Sequence, residues 1–194
     1  MRKVMSMLLV CALPFIATAQ QQITVNEGEV KMGKTKMWTF SAAYPYDKGH
    51  TKNAIVDNFD AAGVKRTGHK KGVQKYMAAT WNTISSSKGD YYYRIRSKKG
   101  RTIVYLAASK GYDNFITSAN DSAAAAKMKK YLIDLDTQIA NAIKLEEKEK
   151  EMAAIAKRNE ELTKELNKGK EQQAQKAGEV KQLQKSMKAP DPVK

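Results

Sequence analysis

His50 and His69 are the only histidines in the chain, and Cys11 is its one cysteine. Neither histidine has a Cys, Asp or Glu at metal-ligand spacing, so no metal centre is expected. His50 reads as a loop or cap residue ahead of a helix, and His69 as part of a basic loop able to bind an anion. Ser85-Ser86-Ser87 lacks the strand–nucleophile–helix pattern of a hydrolase elbow. Gly68-His69-Lys70-Lys71-Gly72 has glycines and lysines but neither the Walker spacing nor a following helix, so it reads as a turn. Asp134 and Asp136 are two apart on a helix and do not share a face. No catalytic residue and no cofactor motif emerge, which places enzymes last among the function classes.

Binding chemistry is better represented. Tyr92, Arg94 and Arg96 alternate onto one face of a strand, with Lys98, Lys99 and Arg101 in the adjoining turn and His69, Lys70 and Lys71 in the basic loop. Arginine and tyrosine on a solvated sheet face hold phosphate or sugar by charge-assisted hydrogen bonds and stacking. The second set is a heptad seam whose apolar members are Met152, Ile155, Leu162, Leu166, Val180, Leu183 and Met187, with Asn159 at a position that specifies register or oligomer state. Gly169, Gln173 and Lys176 interrupt it.

Charge supports the same division. The formal net charge is +15, of which residues 20–145 carry +11, whereas residues 146–188 hold 11 basic and 9 acidic side chains. A basic body on a balanced helix calls for an anionic partner at the body and a helical partner, or a second copy, at the helix.

The ends indicate where such a partner would be met. Arg2 and Lys3, the apolar run Met7–Ile16, and Ala17-Thr18-Ala19 form a secretory signal, with cleavage expected before Gln20. The run is shorter than the roughly 20 residues that span a bilayer, so the mature chain is expected to lack a transmembrane helix. Cys11 lies inside the run behind Val10 and is not read as a lipoprotein site. A mature chain without cysteine must be stabilised by packing. Export to a Gram-negative periplasm or outer surface favours lipid, lipopolysaccharide, glycan or acidic protein as the anion, and argues against nucleic acid.

The elements that position these residues follow from periodicity. Residues 20–35 read as an extended arm or weak hairpin around Asn26-Glu27-Gly28. Residues 36–43 form a strand with Trp38, Phe40 and Ala42 on the buried face. Thr51 to Ala62 is a helix closed by Gly63, and Val64 to Thr67 a short strand. Val73–Ile84, Tyr91–Ser97 and Thr102–Ser109 form an antiparallel meander, turning at Ser85–Asp90 and at Lys98–Arg101. Tyr112, Phe115 and Ile116 then cover a core edge. One helix begins near Asp121 or Ser122, buries Met128, Leu132, Leu135 and Ile139, and leaves the body near residue 146. The expected organisation is a signal (1–19), an arm (20–35), a basic domain (36–145), a helical stalk ending in a coiled coil (146–188) and a tail (189–194).

The resulting class is α+β, in the order β-α-β-β-β-β-α, with an antiparallel sheet, helices on one face and a polar face opposite. This order resembles small exported α+β domains of TATA-binding-protein-like layout over residues 36–145, a likeness that implies no activity. Thr18-Ala19-Gln20-Gln21-Gln22 resembles the signal ends of exported Bacteroidetes proteins. The basic, helical-armed, cysteine-free chain is also similar to periplasmic Skp-type chaperones, which implies a holdase. Those arms are helical hairpins, however, and this chain has a single outgoing helix.

Overall fold

The computed structural model describes residues 22–112 and 114–188, so the expected signal (1–19) and the whole of the expected tail (189–194) lie outside the described residues. Six antiparallel strands form one sheet: β1 (Asn26–Met32), β2 (Thr35–Tyr44), β3 (Gly68–Lys70), β4 (Val73–Trp81), β5 (Ser85–Lys98) and β6 (Arg101–Ser109). Their order across the sheet is β1-β2-β6-β5-β4-β3. Two helices, α1 (Lys48–Ala61) and α2 (Ser122–Lys188), complete the α+β architecture.

The main core lies between the helices and one sheet face. Phe40 and Tyr44 from β2, Tyr91, Tyr93 and Ile95 from β5, and Val104 and Leu106 from β6 meet Phe59 of α1 and Met128, Leu132, Leu135 and Ile139 of α2. Aromatic rings dominate its centre. Phe59 stacks on Tyr76 with centroids 3.9 Å apart, and Trp81 meets Tyr131 edge-on at 4.8 Å. Tyr44 Oη donates a 2.6 Å hydrogen bond to the Leu132 carbonyl, fastening β2 to α2.

Several local expectations are corrected. The residues read as an arm contain β1, which pairs with β2 from Asn26↔Ser41 to Met32↔Thr35, so Asn26-Glu27-Gly28 lies in a strand and the turn falls at Gly33 and Lys34. α1 begins at Lys48, three residues before the expected Thr51, because Asp47 caps it: Asp47 Oδ1 accepts from Gly49 N and His50 N. Gly63 does close α1. At φ +68 it allows Gly63 N to reach the Asp60 carbonyl and Val64 N to reach that of Phe59, the paired bonds of a Schellman end.

No strand forms at Val64–Thr67. The short strand β3 lies inside the supposed basic loop, and Lys71-Gly72 alone, both at positive φ, turns into β4. Nor is Ser85–Asp90 a turn, since those residues begin β5 and the chain reverses at Asn82–Ile84. Register shifts around Ala78, at φ +51, let Tyr76 and Trp81 both point into the core despite opposite parity. Tyr112 is fully exposed, whereas Phe115 and Ile116 do pack.

The sheet face away from the helices is not purely polar. Met32, Met37, Val73, Tyr92 and Ala107 form a second buried cluster there, flanked by Val30, Tyr105 and Phe115. Trp38, expected inside, is 38% exposed, while Thr39 on the opposite face is buried. The β1–β2 tip helps to bury Met32, Met37 and Val73: a methyl placed on Gly33 would lie 3.9 Å from Val73 Cγ2, so this tip meets the β3–β4 turn from the far edge of the sheet.

Candidate functional site

Strict alternation along the middle of β5 sorts its side chains. Tyr91, Tyr93 and Ile95 enter the main core, and Tyr92, Arg94 and Arg96 take the outer face. The ladders place Arg94 beside Val73 on one neighbour and Tyr105 on the other, Arg96 beside Ile103, and Lys98 beside Arg101. Lys70 and Lys75 share this face, as partners of Val73 and Tyr92. Among the strand residues of the outer face Asp90 is the single carboxylate, and its Oδ1 accepts from Ala78 N at the bulge. A basic band therefore runs from β3 to the β5–β6 tip.

Each candidate residue has a definite place. Tyr92 is buried, so it floors the site rather than offering a ring to a ligand, and Lys75 Nζ sits 5.8 Å above its centroid. Arg94 is half-buried, and its Nη1 donates to the Lys31 carbonyl at 3.3 Å. Burial, then the adjacent charge of Arg96, draws the Arg94 guanidinium below its ordinary value. Arg96 is exposed beyond it. Lys98, Lys99 and Arg101 surround the β5–β6 turn, where Lys99 and Gly100 adopt positive φ. Lys70 and Lys71 belong to the β3–β4 tip, while His69, opposite Gln74, faces the other way with Lys48, Lys52 and Arg66.

Sequence reasoning did not find the cleft where the two hairpin tips meet. Lys34, Lys70, Lys71 and Lys75 line about 150 Å³ above Met32, Met37 and Val73. None of the four lysines has an ion pair among the described residues. Lys34 and Lys75 are forty-one residues apart in sequence, and only the contact between tips brings them together.

His50 is also better connected than its sequence neighbourhood implied. Its ring meets the Asp47 carboxylate through Nδ1 and Glu146 Oε2 through Nε2, the latter at 3.0 Å. Hydrogen bonding to Asp47, then to Glu146, raises the His50 pKa. The contact is a hydrogen-bonded joint between the start of α1 and α2, an ion pair when His50 is protonated. Among the described residues no group of three or more His, Asp or Glu is placed to hold a metal ion.

The heptad residues Met152, Ile155, Asn159, Leu162, Leu166, Val180, Leu183 and Met187 all lie on α2, and all are exposed. Every residue from Glu147 to Met187 is exposed, and this part of the helix extends for about 60 Å. No helix among the described residues is long and apolar enough to cross a membrane. No family model, curated protein or solved structure matches this chain.

Proposed function

We propose that this chain is an exported, non-enzymatic envelope module that binds an anionic envelope component through its basic sheet face and gathers copies through α2. One observation carries the reading: Lys70, Lys75, Arg94, Arg96, Lys98 and Arg101 share a face on which Asp90 is the lone strand carboxylate. Such a field draws phosphate-bearing or carboxylate-bearing surfaces, and the planar guanidinium groups suit bidentate contact with them. The basic, apolar and small-residue order of Met1–Ala19 supports export.

Sedimentation of residues 20–194 with phosphatidylglycerol vesicles and with phosphatidylcholine vesicles tests this reading. Binding to the anionic vesicles alone is expected, weakening as salt rises. The triple variant Arg94→Glu, Arg96→Glu, Lys98→Glu should bind at least tenfold more weakly. Equal binding to both vesicle types, or an unaffected variant, overturns the reading.

The lysine cleft favours a second reading, in which a small free anion is the ligand. Titration with inorganic phosphate, followed through the amide resonances of Gly33 and Gly72, separates the two. Saturable shifts at those tips without vesicle binding would favour the cleft.

A further inference from the structure

We infer that α2 pairs with α2 of a second copy as a parallel, in-register, two-stranded coiled coil from Leu145 to Met187. This rests on the oligomerisation in the proposed function and deepens it by naming the partner and its direction.

α2 carries two apolar stripes. Met128, Leu132, Leu135 and Ile139 are consumed by the main core. The second stripe, beginning at Leu145 and Met152, lies roughly 220° around the helix from Ile139, on the side away from the body. A second helix can therefore approach it without meeting the sheet. The apolar seam side chains from Met152 to Met187 are between 45% and 86% exposed. Leu145, one heptad before Met152, is 60% exposed and extends the seam back to the point where the helix leaves the body.

Three features select the partner. With Leu145 and Met152 at a, the d positions include Ile155, Leu162 and Leu183, and Val180 at a precedes Leu183 at d, a pairing that suits two strands. Asn159 also falls at a. In a parallel in-register pair it faces its own copy and the two amides can bond, whereas an antiparallel pair sets it opposite a d residue.

Third, each g residue in such a pair faces the e residue five positions on in the partner helix. That joins Lys144 to the partner's Glu149 and Glu165 to the partner's Lys170, both opposite in charge. The remaining pairs (Glu151 with Ala156, Arg158 with Thr163, Gln172 with Ala177, Glu179 with Gln184) bring no like charges together. Lys148 and Lys176, both at d, meet their own copies and, with Gly169 and Gln173, interrupt the core, so a second copy matches the seam along Met152–Leu166 and Val180–Met187. Parallel alignment sets both basic faces at the same end, so two weak contacts with an anionic surface act as one stronger contact.

Single-cysteine variants test the direction, since the chain from Gln20 onward has no cysteine. Under mild oxidation Ile155→Cys and Leu183→Cys, both at d and near opposite ends, should each give covalent dimer as the main product. Lys157→Cys, on the outer side of the helix, should give little. Light scattering of each variant under reducing conditions, beside the unmodified chain, keeps the two layers separate. A dimer that fails to cross-link at both d positions overturns the parallel register and leaves oligomerisation standing. A trimer overturns the two-stranded pairing, and a monomer at all concentrations overturns both layers.

Discussion

His50 Nε2 lies 3.0 Å from Glu146 Oε2, and beyond Glu146 every residue of α2 through Met187 is exposed. One imidazole on the first turn of α1 therefore marks where the long helix leaves the body. The groups facing that ring are Asp47 from the cap of α1 and Glu146 from α2, and Glu146 is also held by Lys150 Nζ at 2.6 Å.

A pH dependence of the joint follows. Because the folded state raises the His50 pKa, protonated His50 is the form that folding favours. Its stabilising contribution is complete below the unfolded value of about 6.5 and is lost as pH rises through the higher folded value. Amide hydrogen exchange around residues 140–147, corrected for intrinsic rates, should show greater opening on the alkaline side of that window. His50→Gln should abolish the pH dependence, and an unchanged profile in that variant would remove the joint.

Glu27 gives the opposite sign. Burial alone would raise its carboxyl, but hydrogen bonds from Ser118 N and Oγ, Trp38 Nε1 and Lys129 bring it down to about 2. Its stabilising contribution is present above the unfolded value of about 4.3 and disappears as pH falls through 2. Urea unfolding midpoints should decline between pH 5 and pH 2 in the native chain. Glu27→Gln should be less stable at neutral pH and show a smaller decline.

How far these sites could be read from sequence depended on the range of the contacts that make them. The Tyr91–Arg96 alternation is local, so the basic outer face could be read directly, as could the Lys99-Gly100 turn. β1 could not, because Asn26-Glu27-Gly28 has turn composition and becomes strand only by pairing with β2. Strict alternation puts Tyr76 and Trp81 on opposite faces, and only the bulge at Ala78 brings both into the core. The burial of Met37 and the lysine cleft depend on two hairpin tips meeting from opposite edges of the sheet, which no local period encodes. The His50–Glu146 joint spans 96 residues and leaves no local trace.

The Tyr44–Leu132 bond tests how firmly α2 is seated. Tyr44→Phe keeps the buried ring and removes only the hydroxyl donor, so the expected cost is about 1 kcal/mol. Urea denaturation should show a lower midpoint with an unchanged slope. No loss of stability would mean that this hydroxyl does not help to hold the helix.

Asn159 offers a test of specificity rather than of stability alone. An asparagine at an a position fixes strand number and register at a cost, because its amide must be taken from water. Asn159→Ile removes that cost and adds an apolar layer between Ile155 and Leu162. The variant should dissociate at lower concentration than the native chain, by at least tenfold in the midpoint. It should also lose uniqueness, with trimers appearing beside dimers, since isoleucine at a no longer excludes a third strand. Sedimentation equilibrium over a dilution series reads both effects. A variant that associates no more tightly and keeps a single mass would mean that Asn159 does not lie in the helix–helix interface.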